Sequence, residues 1–465
     1  MKQLVSKLNF EIVGSLALAS ALTLGMSACG GGGGDDAPAG GGTTVTAAQK
    51  TAVLTTYADI ALANYTDALN DAVALQSAIT AFASSKSEAD FNATKEAWLT
   101  ARESYGTTEA FRLSEGPVDA ESGWVNTLYG APEGQMNAWP LDENMIDYTT
   151  EANGSISSGN IIDTVGVFTP AGGSDVNVTN ITKEALAALN ENGGDANVAT
   201  GYHAIEFLLW GQDQDYASFI DDTITNGALV AGMRPLTDFT SASNADRRLD
   251  YLSAAVELLI EDLNTTKNAW ETSETNCTTG VGCYRAALLS ELDGADADKN
   301  IDADTALTQI YAGLGVFIKS ELANERMAVA VLTPSEEDEH SCFSDNTHRD
   351  IVTNYEGFKN IIKGEYKGLP IDANAMSVYS LVDSATKTAI DTLFTSIDTK
   401  VAAIDTAAAT EHFDYQIKAG SSYRQNIVDA KNEMRDLGDT MVDVAADFGI
   451  SLSEDDVTDP DETAI

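Results

Sequence analysis

Apolar residues recur at steps of three and four along most of the chain, and this periodicity constrains the fold more than any other feature. The first run covers residues 53–79, and similar runs cover 247–270, 304–332, 377–404 and 423–448. Alternation of β-branched residues is nowhere sustained over the length of a strand. We therefore predict an all-α fold in which the helices pack as bundles. In the first run the apolar positions are Val53, Tyr57, Ile60, Leu62, Tyr65, Leu69, Val73, Leu75 and Ile79.

Shorter elements are predicted between these runs. Ser87 and Thr182 are each suited to cap the start of a helix. A further helix is predicted across His203–Trp210. The stretch Leu113–Ser174 concentrates glycine and proline, which predicts long ordered loops.

The N-terminus is predicted to be a targeting segment rather than part of the fold. Lys2 and Lys7 precede an apolar stretch, and small residues then lead to Cys29. The tetrapeptide that ends at Cys29 resembles a bacterial lipobox, so residues 1–28 are predicted to be a lipoprotein signal peptide with lipidation at Cys29. Ordinary signal cleavage is the alternative. The Gly-rich residues 29–45 are predicted to form a flexible tether.

The composition gives the chain a strongly negative charge. Its 72 Asp and Glu residues outnumber 26 Lys and Arg residues, for a formal net charge of -46. Such a surface repels nucleic acid and anionic lipid headgroups, so neither is predicted to be a partner. The acidic segment 449–465 contains few apolar residues and is predicted to be a disordered tail.

Three cysteines follow the predicted signal peptide and Cys29, and export would place them in an oxidising compartment. Cys277 and Cys283 flank a flexible Thr-Thr-Gly-Val-Gly loop and are candidates for a disulfide, which would leave Cys342 unpaired. The alternative is that all three are buried or free thiols.

The most informative candidate site contains one of only four histidines in the chain. His203 and Glu206 are three residues apart in a predicted helix, which puts their Cβ atoms about 5–6 Å apart on one face. Helical bundles hold iron, manganese or zinc with such pairs. Gly201 would let a ligand or a neighbouring helix approach closely. The surrounding residues are apolar, so both side chains should be buried and need a cation or a basic partner. The alternative is a His–Glu hydrogen bond satisfied within the core.

Two other regions carry possible metal ligands. Glu336–Asp350 contains two histidines and six carboxylates, and is either a metal-binding segment or a solvated helix–loop junction. Carboxylates also lie in Pro- and Gly-containing loops, where they would hold a ligand or cap turns. The further candidate ligands from these regions are Glu115, Asp119, Asp142, His340 and His348.

Several common catalytic signatures are missing from the sequence. His203 is not followed by Glu and no His lies four residues on, so the helix is not an HExxH zinc-protease helix. The chain also contains no GxSxG elbow, P-loop, dinucleotide fingerprint or CxxC pair. Nucleophilic hydrolase, NTPase and thiol-redox functions therefore have no support from motifs.

Taken together, five motifs resemble those of the imelysin-like family, especially its iron-regulated protein A branch. The resemblance covers roughly residues 46–448. It implies two helical bundles, approximately 46–235 and 240–448, packed as one compact unit with long ordered loops. The motifs are Glu115–Asp119 (EGPVD), Asn137–Tyr148 (NAWPLDENMIDY), Gly201–Gly211 (GYHAIEFLLWG), Gly232–Phe239 (GMRPLTDF) and Glu337–Asp350 (EDEHSCFSDNTHRD).

The resemblance also implies a function. Members are exported, often lipidated, and associated with bacterial iron acquisition, with the pair at His203 and Glu206 taking part in metal binding. We expect the further candidate ligands to belong to the same pocket. The expected location is the bacterial cell envelope, where an N-terminal lipid would hold the protein on the outer membrane, facing the periplasm or the cell surface.

Three hypotheses follow for the activity. The preferred one is a binding protein that captures iron, or an iron-bearing ligand, and works with iron-transport components; imidazole nitrogen and carboxylate oxygen suit divalent or ferric first-row metals, zinc included. The family's classification as peptidase M75 gives the second, a metallopeptidase in which Glu206 or a second carboxylate acts as general base on a metal-bound water. The third is a non-catalytic adaptor of an outer-membrane transporter.

Overall fold

Long helices form the framework of the structure, a computed structural model that describes residues 45–150, 155–212, 231–272, 275–332 and 339–459. The long α-helices are Ala47–Ser85, Glu88–Gly106, Ala245–Ala269, Ala303–Val316, Thr347–Lys363, Ser384–Ala408 and Arg424–Asp447. A π-helix, Phe317–Val329, continues one of them and leads into the short helix Ala330–Leu332.

Short elements connect these helices. The remaining α-helices are Gly123–Tyr129, Glu133–Met136, Glu143–Ile146, Lys183–Leu189, Gly201–Trp210, Thr237–Thr240, Cys283–Leu288, Val378–Leu381 and Phe413–Ile417. Within the described residues, the 3₁₀ helices are Glu109–Phe111, Gly294–Lys299 and Glu454–Val457. Two antiparallel hairpins pair Val167–Phe168 with Val176–Asn177 and Glu365–Tyr366 with Leu369–Pro370. The prediction of an all-α fold is confirmed, and these hairpins are the strands of the described residues.

Local sequence signals explain where several helices begin and end. Thr46 and Gln49 form a reciprocal capping box at the start of the first helix. That helix ends at Lys86, which adopts a left-handed conformation with φ of 52°. Ser87 and Thr182 accept hydrogen bonds from backbone N–H groups at the starts of Glu88–Gly106 and Lys183–Leu189, so both predicted caps are confirmed.

The first group of helices surrounds Ala47–Ser85. This helix packs against Glu88–Gly106 and Ala245–Ala269, and Gly201–Trp210 packs against both of those neighbours. Small side chains on the buried face of the first helix allow the close packing. The fully buried alanines of that face are Ala58, Ala61, Ala68 and Ala72.

A second group of helices forms around the C-terminal helix. Arg424–Asp447 packs against Ala303–Val316, its π-helical continuation and Ser384–Ala408. Thr347–Lys363 packs against Ser384–Ala408 and also against Glu88–Gly106 of the first group. It therefore connects the two groups within the unit Gly42–Ile465.

Glycines set the distance at this connection. A Cβ on Gly106 would overlap a side chain of the opposite helix, and a Cβ on Gly357 would overlap a backbone carbonyl oxygen. The two helices are therefore close enough for Arg102 of one to contact Asp350 of the other at 2.8 Å.

Two segments near the predicted domain bounds have defined contacts. Ala245–Ala269, which follows the predicted division at residues 235–240, packs against helices of the first group. In the predicted tail, Glu454–Val457 is helical, because Val457 is fully buried and lies against Gly315. Among the residues that the structure describes, no helix is both long and apolar enough to cross a membrane.

Candidate metal centre

The helix Gly201–Trp210 carries the centre of the candidate site, and all ten of its residues are buried. Gly201 has a φ of 80°, and a Cβ at this position would overlap the carbonyl oxygen of Met136. Thr200 donates a hydrogen bond from its hydroxyl to the carbonyl oxygen of Gln135 at 2.9 Å. Glycine is therefore needed because the helix begins against the backbone of another segment.

His203 and Glu206 turn inward together and contact each other. His203 Nδ1 and Glu206 Oε2 are 2.9 Å apart and share a hydrogen bond, and both side chains have 0% exposure. Glu206 Oε1 accepts hydrogen bonds from the backbone N–H and the hydroxyl of Ser344, at 2.9 and 2.7 Å. His203 Nε2 is buried and has no hydrogen-bond partner among the described residues.

A second imidazole lies beside the first. The rings of His203 and His340 have centroids 4.7 Å apart and are nearly perpendicular, at 81°. His340 Nδ1 and Asp350 Oδ2 are 2.9 Å apart. Asp350 also accepts hydrogen bonds from the Ser341 hydroxyl at 2.5 Å and from Arg102 at 2.8 Å. Each imidazole is thus held through Nδ1 by a buried carboxyl group.

Burial controls the protonation of this group. It lowers the pKa of His203 well below the ordinary value, with His340 and Arg102 adding to the effect. Burial and the charge of Arg326 together lower the pKa of His340 to about 4. Burial raises the pKa of Glu206 to about 8. Both imidazoles are therefore neutral at pH 7, which is the form that binds metals.

Asp350 is the exception because it stays ionised. Burial alone would raise its pKa, but Arg102 and the hydrogen bond with His340 outweigh burial and hold the pKa well below its usual range. The site thus contains one carboxylate that is firmly charged and one carboxyl group, Glu206, that retains its proton near neutral pH.

The two imidazoles have a spacing that suits two ligands of one metal ion, but they supply only two of the ligands that an ion needs. Two imidazoles that share one ion, with metal–nitrogen distances of about 2.1 Å, have ring centroids roughly 4.6–5.3 Å apart, and the 4.7 Å between His203 and His340 lies in that range. No group of three His, Cys, Asp or Glu side chains suited to holding an ion occurs within the described ranges. Two nitrogen ligands therefore suit an ion that keeps water or another exchangeable ligand, rather than a closed structural site.

A polar pocket of about 190 Å³ adjoins His340. Arg112 lies in its wall and forms ion pairs with Glu133 and Glu321 at 3.5 and 3.3 Å. Arg326 pairs with the buried Glu109 at 2.5 Å. The residues that line this polar pocket are Arg112, Glu133, Asn137, Ala138, Trp139, Glu321, Glu325, Arg326 and His340.

The other candidate ligands lie elsewhere. Asp119 accepts a hydrogen bond from the N–H of Leu113 at 2.7 Å, and Asp142 caps a short helix by accepting from Met145 at 3.0 Å. Glu115 is exposed on its loop. These three carboxylates occupy turns, and none contacts His203 or Glu206 in the described chain.

His348 is also separate from the paired imidazoles. Its Nδ1 contacts the carbonyl oxygen of Asp345 at 3.2 Å, and its Nε2 lies 4.0 Å from Asp405. His340 is therefore the one further candidate that the structure brings to His203. Glu336, Glu337 and Asp338 lie outside the described residues.

The cysteines can be placed in part. Cys277 and Cys283 form a disulfide, and Cys342 is buried and is not part of that disulfide. Cys29 lies outside the described residues.

Three side chains of the site were not singled out from the sequence. Asp350 and Ser344 both lie in the motif Glu337–Asp350, and their position in that motif was the available signal. Arg102 had no comparable signal, because it reaches the site through packing between distant segments.

Comparisons with known proteins agree with this architecture. A family model described as imelysin, peptidase M75, matches residues 61–441. A crystal structure of an iron-regulated protein A precursor from Parabacteroides distasonis ATCC 8503 is 18% identical, with 88% of this chain and 98% of that chain covered and a TM-score of 0.57. For an imelysin-like protein from Psychrobacter arcticum 273-4 the identity is 14%, the coverage is 88% and 99%, and the TM-score is 0.52. No curated protein matches the chain.

Proposed function

This chain belongs to the imelysin family, and we propose that it binds a first-row transition-metal ion at the paired imidazoles of His203 and His340. Iron is the proposed physiological metal, in keeping with the iron-regulated protein whose fold the chain shares. In this proposal the protein is exported to the bacterial envelope, is held there by a lipid on Cys29, and passes captured iron to transport components.

One observation carries the proposal: the Nε2 atom of His203 is buried without a hydrogen-bond partner in the described chain. An unsatisfied polar atom in the interior destabilises the fold unless something binds it. His203 Nδ1 is already engaged with Glu206, so Nε2 is the atom left for a ligand. A metal ion at this atom would satisfy it.

The carboxyl groups act behind the imidazoles in this arrangement. Asp350 holds His340 through Nδ1 as an ionised carboxylate, as in many carboxylate–histidine–metal sites. Glu206 holds His203 in the same way once it has released its proton, because only then does Nδ1–H donate to the carboxylate and leave the Nε2 lone pair for an ion. Metal binding is therefore proposed to displace the proton of Glu206. Glu206 is therefore proposed to position His203, rather than to be a metal ligand as expected from the sequence. A bound ion would supply positive charge and coordination positions that exchange water.

The contacts of Glu206 favour binding over peptide hydrolysis. A general base needs a carboxylate that is free to accept a proton from a metal-bound water. Both oxygens of Glu206 are already engaged, one with His203 and the other with Ser344. We therefore propose metal binding, rather than peptide hydrolysis, as the function.

Calorimetric titration with Fe²⁺ under anaerobic conditions, and with Zn²⁺, tests the proposal. We expect the wild type to bind one ion, and His203→Ala and His340→Ala each to weaken binding by about 100-fold or more. His348→Ala is the matched control, because His348 contacts neither imidazole. Equal affinities in the wild type and His203→Ala would remove the proposal.

Anchoring is tested separately. In a bacterial host that processes lipoproteins, the wild type should fractionate with the membranes and Cys29→Ser should not. Equal membrane association of the two proteins would contradict lipidation at Cys29.

A further inference from the structure

Trp139 adjoins both the polar pocket and the buried His203. Its ring centroid is 4.8 Å from that of His203 and 6.5 Å from that of His340. On another side the indole packs edge-on against Phe343, at 5.6 Å. The same residue lines the polar pocket. The indole is therefore in contact with both the solvent-accessible pocket and the buried site.

The two imidazoles differ in their access to this pocket. His340 is 6% exposed and lines the polar pocket. His203 is 0% exposed, is not one of the lining residues, and has the unpartnered Nε2 atom. A small species that enters the pocket meets His340 directly, whereas His203 lies behind the pocket wall, with its ring against the rings of Trp139 and His340.

The pocket itself restricts what can enter. Its volume of about 190 Å³ is small beside the roughly 300–1,000 Å³ of sites for drug-sized ligands. Three carboxylates line it, those of Glu133, Glu321 and Glu325, beside two guanidinium groups. Arg112 and Arg326 are already paired with carboxylates, so the polar wall does not leave a free cation for an anionic chelate.

We propose that Trp139 is a gate residue that admits a free metal ion to His203 and excludes a metal held in a bulky organic chelate. This inference rests on the proposed metal-binding function, and it names the substrate class of that site as the free hydrated ion. The geometry that carries it is the indole that adjoins both a polar pocket and a buried imidazole with an unpartnered nitrogen.

Chemical modification of the metal-free protein tests the gate without any metal. Diethyl pyrocarbonate acylates imidazole nitrogen, and peptide mass spectrometry gives the rate at each histidine. The rate at His203 is divided by the rate at His348 in the same sample, so that general unfolding cancels. We expect this ratio to rise at least about tenfold in Trp139→Ala, and to stay near the wild-type value in Trp139→Phe, which keeps an aromatic ring.

Trp124→Ala is the matched control, since Trp124 is also a partly buried tryptophan that lines a pocket, one lined by other residues. Its ratio should equal that of the wild type. An unchanged ratio in Trp139→Ala, or an equal rise in Trp124→Ala, would overturn the gate.

The substrate class is tested with Ni²⁺ and with nickel nitrilotriacetate as probes. We expect the wild type to bind Ni²⁺ but not the chelate, and Trp139→Ala to gain binding of the chelate. Equal binding of both probes by the wild type would overturn the exclusion. If the wild type binds neither probe, the proposed metal function fails, and the modification ratio still decides whether Trp139 closes the site.

Discussion

Replacing Glu206 with glutamine should keep the fold and change how the free energy of unfolding depends on pH. The carboxyl group is fully buried, and burial raises its pKa to about 8 from an ordinary value of 4.5. At roughly 1.4 kcal/mol for each tenfold change in proton affinity, this difference corresponds to about 4 to 5 kcal/mol of folding free energy. Glutamine has the same shape and can still accept the hydrogen bonds from Ser344.

The direction in which wild-type stability changes with pH follows from which state of the protein holds the proton of Glu206. Between about pH 4.5 and 8 the unfolded chain releases the proton of Glu206, while the folded chain keeps it. This contribution to wild-type stability is therefore complete below pH 4.5 and is lost as the pH rises to about 8. Glutamine does not ionise, so the variant should gain stability relative to the wild type by about 4 to 5 kcal/mol across this window.

Urea denaturation of both proteins at pH 5, 6, 7 and 8, with a chelator present, measures the difference. Glu96→Gln is the matched control, because Glu96 is exposed and its variant should follow the wild-type curve. Parallel curves of unfolding free energy against pH for the wild type and Glu206→Gln would mean that burial does not keep the proton on Glu206.

Three other changes test the framework of the site. Gly201→Ala should lower the free energy of unfolding by more than about 3 kcal/mol in thermal melting, because the added Cβ overlaps backbone and the φ is unfavourable for alanine. Gly159 has a φ of 89° but open space around it, so Gly159→Ala should lower the free energy of unfolding by only about 1–2 kcal/mol in the same assay. Arg102→Met should cost about 3–5 kcal/mol at pH 7, because it leaves Asp350 charged and buried without its cation. The loss should shrink in acid as Asp350 takes up a proton, and urea denaturation at pH 7 and 4 that shows equal losses would contradict this. Replacing both Cys277 and Cys283 with serine should lower the free energy of unfolding by only about 2 kcal/mol in chemical denaturation. The disulfide closes a short loop, with a sequence separation of 6, and therefore restricts the unfolded chain only a little.

The sequence predicted those parts of the fold that depend on local patterns. Helical periodicity identified the long helices, and Ser87 and Thr182 fixed two helix starts. Periodicity did not reveal the π-helix Phe317–Val329, because its i→i+5 hydrogen bonds are a backbone feature that apolar steps of three and four residues do not report.

The site was predictable only where its residues share a helix. The three-residue spacing put His203 and Glu206 on one face, but it did not show that they contact each other. The pairing of Arg102 with Asp350 depends on the crossing of two helices, and the position of Trp139 depends on a loop. Such contacts join residues far apart in the chain, so local sequence patterns carry no signal for them. The turn-capping roles of Asp119 and Asp142 were the alternative that the loop composition had left open.

We expect one metal ion to bind between His203 and His340. An anomalous-difference map from crystals of the iron- or zinc-loaded protein shows where the ion lies. It should contain a single peak about 2.0–2.2 Å from the Nε2 atoms of both imidazoles, with Glu206 and Asp350 still bonded to their Nδ1 atoms. A peak bound only by carboxylates of the polar pocket, or no peak in protein that binds the metal in solution, would exclude binding between the two imidazoles.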